Sequence, residues 1–378
     1  MNFSERSLEL HKQRRGKLET VPTVALQNRD DLSIAYTPGV AAPCEAIAKD
    51  PSLAFDLTIK GRTIAVVTDG SSVLGLGNIG PEAALPVMEG KAILYKKFAG
   101  LDAFPICLAT QDTDEIIETV KRIAPGFGAI HLEDIAAPRC FDVEERLAGE
   151  LNIPVMHDDQ HGTSVVILAG LFNALRVVDK RLDDARIVIS GAGAAGIASA
   201  GLLLEAGAGR IDVVDSKGLI AVGREEMNER KTALAHKINP EGRSGTLADA
   251  LRGADVFVGV SRPGLVTQEM VRSMAAQPIV FAMANPTPEI LPDEARAAGA
   301  AIVATGRSDF PNQVNNVLAY PGMFLGAMEA RKRFLPGMRI AAARALAALV
   351  PSPTADRILP TIFEEGVART VADAVKSA

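Results

Sequence analysis

A lysine, two pairs of acids and one glycine-rich run carry most of the chemistry legible in this sequence. In PEAALPVMEGKAILYKKF (81–98), Ala84, Val87, Met88, Leu94, Tyr95 and Phe98 recur at three- and four-residue spacing, which predicts one buried helix stripe. Lys91 falls at the centre of that stripe, whereas Lys96 and Lys97 fall off it. Burial disfavours an ammonium, so a lysine held there is expected to act as a general base near neutral pH. The plain alternative is a snorkelling lysine whose stem covers apolar surface. Glu133 and Asp134 end the strand-like run AIHLED, and Asp158 and Asp159 end IPVMHDD. Open α/β sheets bind ligands beyond the carboxyl ends of their strands, so neighbouring strands would gather these acids around a cation. Oxygen ligands favour Mg²⁺ or Mn²⁺, while His157 and His161 leave zinc as an alternative. Otherwise the acids are ordinary loop residues or helix caps.

The run Gly191-Ala192-Gly193-Ala194-Ala195-Gly196 follows the strand-like RIVIS and opens a helical stretch. Its glycines would let a pyrophosphate approach the helix N-terminus. Asp215 ends the next strand, nineteen positions after Gly196, where a carboxylate takes the adenosine ribose hydroxyls. That carboxylate favours NAD, but Ser216 and Lys217 follow it and could hold the 2′-phosphate of NADP.

These groups need elements to hold them. Residues 4–18 read as a charged helix, and 20–60 as irregular chain with turns at Pro22, Pro38, Pro43 and Pro51. Strand-like runs at 63–69, 104–110, 129–134 and 153–159 then alternate with helical ones at 81–98, 112–124 and 142–150. Thr163 is expected to cap a helix reaching Val178. Strands at 185–190, 211–215, 255–260, 278–284 and 300–305 follow, and the chain is helical from about Asn316. Alternating strands and helices imply parallel sheets, so the expected fold is α/β in two domains. The first, residues 1–160, is an α/β layer carrying lysine and acids. The second, residues 161–378, is a Rossmann-like dinucleotide-binding domain ending in a helical tail.

Composition narrows the function classes. At 378 residues the chain predicts about two domains. A net charge of −6 disfavours a nucleic-acid surface, and 48% hydrophobic with 23% charged residues are the proportions of a globular enzyme. Cys44, Cys107 and Cys140 are widely spaced, which excludes a CxxC metal site or a disulfide framework and suits a cytoplasmic location. The N-terminus has no apolar stretch after its charges and reads as no secretory signal. The longest uncharged run, 187–204, is too rich in Gly, Ala and Ser for a membrane span.

Taken together, SIAYTPGVA (33–41), TDGSSVLGLGNIGP (68–81), LPVMEGKAILY (85–95), HLEDIAAP (131–138), HDDQHGT (157–163), GAGAAG (191–196), VDSKGLI (214–220), ANPTPEI (284–290) and PNQVNN (311–316) resemble the malic enzymes in their short bacterial form. The motifs run in order over nearly the whole chain. The resemblance implies an N-terminal malic-enzyme domain, a Rossmann-like domain and an active site between them. It implies oxidative decarboxylation of (S)-malate to pyruvate and CO₂ with NAD or NADP and Mg²⁺ or Mn²⁺, oxaloacetate decarboxylation as a partial reaction, and a homodimer or higher homo-oligomer.

By the same resemblance, Tyr36 protonates the enol intermediate and Lys91 takes the malate hydroxyl proton. Glu133, Asp134 and Asp159 hold the metal, and Asp158 tunes the lysine. Asn285, Asn315 and Asn316 hold substrate carboxylate and the nicotinamide end. Two departures stand out. Longer members carry a carboxylate-gripping arginine where this chain reads Ser71-Ser72, and no acetyltransferase-like extension follows Ala378. Competing readings are a lysine-dependent dehydrogenase of another 2-hydroxy or amino acid, which needs no metal, and a non-catalytic nucleotide sensor.

Overall fold

The protein, seen in a computed structural model, is described over residues 3–378. Four short helices lead: α1 (Phe3–Arg14), α2 (Arg29–Ala35), α3 (Ala41–Lys49) and α4 (Ala54–Leu57). The stretch expected to be irregular is therefore largely helical. Its helices are short and locally capped, as where the Asn28 side chain accepts from the Asp31 amide at 2.9 Å.

Strands β1 (Thr63–Thr68), β2 (Asp102–Cys107), β3 (Ala129–Leu132) and β4 (Val155–His157) form a parallel sheet in the order β2-β1-β3-β4. Helices α5 (Pro81–Ala99), α6 (Thr113–Ile123) and α7 (Arg139–Glu150) make its crossovers. Because β1 connects outward on one side and β3 lies on its other, a crevice opens at the carboxyl ends, where the acids lie.

The long helix α8 (Asp158–Val177) corrects one expectation. Asp158 and Asp159 do not end a strand; they are the first turn of α8, which starts five residues before Thr163. Acids are stabilised at a helix N-terminus, and β4 stops at His157 to allow it. The division expected at residue 160 falls inside α8.

The second sheet contains β5 (Arg186–Ser190), β6 (Arg210–Asp215), β7 (Gly218–Leu219), β8 (Val256–Gly259), β9 (Ile279–Ala282) and β10 (Ile302–Thr305). Its order is β10-β9-β8-β5-β6-β7, parallel except for β7, a short hairpin partner of β6 that the sequence reading did not anticipate. Strand β5 sits where the strand order reverses, the switch point at which such sheets bind dinucleotides. Helices α9 (Ala194–Glu205), α10 (Glu229–Ile238), α11 (Leu247–Leu251), α12 (Gln268–Arg272) and α13 (Pro292–Ala297) pack around it, and α14 (Tyr320–Ala330), α15 (Met338–Ala348) and α16 (Val367–Ser377) form the tail.

One continuous apolar core joins both sheets: Ile64, Met88 and Tyr95 from the first half meet Val165–Leu171 of α8, Ile187 and Ile189 of β5, and Tyr320 and Phe324 of α14. The crevice between the sheets is thus walled by elements packed on a shared spine. No helix among the described residues is long and apolar enough to cross a membrane.

Candidate active site

A cavity of about 790 Å³ opens between the two sheets. Lys91, Glu133, Asp134 and Asp159 line it from the first half, and Gly193, Ala194, Ala195, Asn285, Asn315 and Asn316 from the second. Residues separated by more than 200 positions thus face one space.

Lys91 projects from α5 between two carboxylates, with Nζ 2.6 Å from Asp158 Oδ2 and 3.1 Å from Glu133 Oε1. Its position on α5 is slightly other than the periodicity implied. The buried side is Ala84, Met88, Ala92 and Tyr95, whereas Val87, Lys91 and Leu94 face the cavity. Its electrostatics also differ from expectation. Burial alone would lower the lysine, but Asp158 and Glu133 outweigh it, so Lys91 is held as an ammonium well above its ordinary value. Gly162, one turn along α8, makes room for the pair, since a Cβ there would lie 1.8 Å from Asp158 Oδ1.

Glu133, Asp134 and Asp159 bring carboxylate oxygens within 4.8 Å of one another. Their residue types and spacing fit a hard divalent cation with oxygen ligands. Asp134 Oδ2 is buried with no hydrogen-bond partner among the described residues, and burial, then the charges of Glu133 and Asp159, push its carboxyl up to about 9. Asp134 also adopts a positive φ of 56°, a local strain that turns its side chain into the cluster. His131, Glu133 and Asp158 make a second acid–imidazole group, but there the Lys91 ammonium already bridges Glu133 and Asp158.

Two residues behind Glu133 were missed by sequence reasoning. His131 on β3 is fully buried, with Nε2 2.5 Å from Glu133 Oε2 and Nδ1 2.7 Å from the Tyr95 hydroxyl. Burial pushes its imidazole down to about 3, so it is neutral. The Tyr95 hydroxyl donates to Nδ1, leaving Nε2–H to donate to Glu133. A histidine inside an all-apolar strand was the available signal. Tyr320 on α14 is the other: its hydroxyl is buried without a partner among the described residues, and Lys91 Nζ lies 4.7 Å above its ring.

On the dinucleotide side, Gly193 precedes α9 and lines the cavity; a Cβ there would meet no protein atom within 4 Å. The open cradle fits a pyrophosphate at the α9 N-terminus. Gly191 lies in the turn between β5 and α9, and Gly196, in the first turn of α9, packs against it: a Cβ there would lie 1.7 Å from the Gly191 carbonyl oxygen. Asp215, at the end of β6, is not the free carboxylate expected. Its oxygens accept from Arg224 at 2.6 and 2.9 Å, from Lys231 Nζ at 2.7 Å and from the Lys217 amide at 2.9 Å. Burial would raise it, but Arg224 and Lys231 hold it at about 2. Neither cation was singled out in the sequence, because only the fold brings Lys231 of α10, and Arg224 of the segment between β7 and α10, against the end of β6.

Ser71 is buried, its hydroxyl donating to Asp69 at 2.5 Å and accepting from the Ala136 amide at 2.9 Å, while Ser72 lines the cavity. Asp69 in turn pairs with Arg139 at 2.8 Å. No arginine lines the cavity among the described residues. Tyr36 is not brought to it either: it follows α2, is 66% exposed and is absent from the lining.

Comparison with known proteins places this geometry. Residues 15–148 match the malic enzyme N-terminal domain, and residues 160–378 match the malic enzyme NAD binding domain. Over its full length the chain is 55% identical to a bifunctional malic/malolactic enzyme of Bacillus subtilis, spanning 93% of that protein. It is 54% identical to an NAD-dependent malic enzyme of Geobacillus stearothermophilus, again over its full length and 79% of the relative. The crystal structure of an NAD-dependent malic enzyme of Thermotoga maritima superposes with a TM-score of 0.95 at 48% identity, over 98% of each chain.

Proposed function

The chain belongs to the malic enzyme family, and we propose that it catalyses the divalent-cation-dependent oxidative decarboxylation of (S)-malate to pyruvate and CO₂, reducing NAD or NADP. The observation that carries this reading is the meeting, in one cavity, of a lysine, a three-carboxylate cluster and a dinucleotide cradle. Held by the α9 cradle and by the three carboxylates, the dinucleotide would supply the hydride acceptor for C2 and the cation the Lewis acid for the C2 oxygen that loss of the C3 carboxylate as CO₂ requires. The chain's own residues do the rest. Lys91, once its proton is passed to Asp158 at 2.6 Å, takes the proton of the malate hydroxyl. Glu133, Asp134 and Asp159 would hold the cation, and His131 with Tyr95 keeps Glu133 aimed at it. The amides of Asn285, Asn315 and Asn316, on the opposite wall, hold substrate carboxylate and the nicotinamide end.

The enol left after CO₂ departs needs a proton at C3, and Tyr36 is the donor this reading assigns. Its own chain does not carry it there. From Phe3 to Arg62 no residue is buried, although Phe3, Val21, Leu26, Ile34 and Tyr36 are each more than 60% exposed. An arm this apolar fits a partner surface, so the reading makes the site composite in a homodimer, with a second copy supplying Tyr36. A second donor is favoured by one observation: the free hydroxyl of Tyr320 lies in the same cavity wall. A cytoplasmic location belongs to the same reading, in keeping with three unpaired cysteines.

The test is reduced-nicotinamide absorbance with malate, using each cofactor and each cation. Turnover abolished by a chelator and restored by Mn²⁺ is the expected result. Chelator-insensitive turnover with another hydroxy or amino acid would point to the lysine-dependent dehydrogenase reading.

A further inference from the structure

One buried carboxylate beside the site is used by none of these steps. Glu144 on α7 is 8% exposed. Its Oε1 accepts the His157 backbone N–H at 2.9 Å and its Oε2 lies 3.0 Å from His161 Nε2. The imidazole is oriented from its far side by Arg339 on α15, which donates to Nδ1 at 2.7 Å. Nδ1 therefore presents its lone pair, and Nε2 carries the hydrogen given to Glu144.

His157 is the residue that precedes α8, and its side chain makes no cap hydrogen bond. The first N–H groups of a helix have no partner inside it, and negative charge is favoured beside them. Here the amide that opens the turn is taken by a carboxylate from a different helix. Asp158 and Asp159 are the next two residues. Fixing the His157 amide therefore fixes where both carboxylates leave the backbone, one toward Lys91 and the other toward the acid cluster.

We propose that Glu144 is a positioning residue for the cation and lysine site, pinning the His157–Asp158 turn through its hydrogen bonds to the His157 amide and His161. The proposal rests on the reading of Glu133, Asp134 and Asp159 as cation ligands. Glu144 does not line the cavity that holds Lys91; it lines a second one, of about 570 Å³, behind the turn, together with His161, Arg339 and Phe334. That space gives a small carboxylate a route to the position the Glu144 side chain occupies.

The experiment is Mn²⁺ binding followed by electron paramagnetic resonance, without substrate, on the full chain. Parent, Glu144→Ala, Glu144→Gln and Asp159→Asn are compared, each with and without sodium formate. Supporting groups around metal ligands are typically worth about 10–100-fold in affinity, and Glu144→Ala should lose that much. Formate should recover part of it in Glu144→Ala and change nothing in the parent. Glu144→Gln, which keeps the shape and one acceptor oxygen, should lose less and gain nothing from formate. If Glu144→Ala and Glu144→Gln bind Mn²⁺ like the parent while Asp159→Asn does not, the positioning role is overturned and the ligand assignment stands. If Asp159→Asn also binds like the parent, the ligand assignment fails and takes this proposal with it.

Discussion

The acid–lysine cluster and the amino-terminal arm stand in contrast. In the cluster, Lys91, Glu133 and Asp158 are held by ion pairs of 2.6 and 3.1 Å, backed by a buried His131–Tyr95 pair. Lys91 and Glu133 also line the cavity, whereas Asp158 is fully buried behind them. The arm from Phe3 to Arg62 has no fully buried residue and displays large apolar side chains, with Tyr36 among them. Both regions carry motifs that resemble one family's catalytic residues, yet only the first is assembled by a single chain. On the proposed reading a second copy covers that apolar surface and receives Tyr36 in its cavity.

Breaking the finished region should have the largest effect. Lys91→Ala should lower malate turnover by about 10²–10⁴-fold, the usual contribution of a general base. Loss should fall on the oxidation step, and a small external amine should restore part of it by entering the vacated space. Asp159→Asn should abolish cation-dependent turnover while leaving dinucleotide affinity nearly unchanged, as read by fluorescence titration. Oxaloacetate decarboxylation at the parent's rate in that variant would remove Asp159 from the cation site.

Breaking the arm should act later in the reaction. Tyr36→Phe should still reduce the dinucleotide but release enolpyruvate that ketonises slowly, so deuterium exchange into pyruvate C3 should fall by about 10²-fold or more. Tyr320→Phe is the counterpart. Exchange that is normal in Tyr36→Phe and lost in Tyr320→Phe would move the donor into the single chain.

The smallest effect concerns the cofactor. Asp215 is engaged by Arg224 and Lys231, so Asp215→Ala frees two cations where a 2′-phosphate would lie. The NADP-to-NAD ratio of kcat/KM should rise by about tenfold, the scale of one freed charge pair at about 1.4 kcal/mol. An unchanged ratio would place the adenosine ribose elsewhere.

Local pattern decided what was legible in the sequence. Alternating strands and helices announce two parallel sheets, and the lysine in an apolar stripe, the acids after β3 and the GAGAAG turn can each be read from neighbours in sequence. Asp158 and Asp159 were assigned to the wrong element, because the feature that starts α8 at them includes a carboxylate on α7, distant in sequence. The Lys91 ammonium was misjudged for a similar reason: burial is visible in periodicity, whereas its partners Asp158 and Glu133 arrive from two other elements. Tyr320, Arg224 and Lys231 carry no local signal at all, since a helical tyrosine or a surface cation looks ordinary until the fold places it. Tyr36 is the reverse case, conspicuous in its motif and remote in the single chain.

The composite site is tested most directly by mixing two proteins that fail at different steps. Tyr36→Phe and Lys91→Ala, differently tagged and co-expressed, yield a mixed dimer that can be purified on both tags. If each cavity takes Lys91 from one copy and Tyr36 from the other, the mixed dimer holds one complete site and regains the full conversion of malate to pyruvate protonated on the enzyme at C3, which Lys91→Ala loses at oxidation and Tyr36→Phe at protonation. If the mixed dimer is no more active than the two variants alone, although it binds dinucleotide and Mn²⁺ normally, Tyr36 does not serve the partner's cavity and the account of a shared site is wrong.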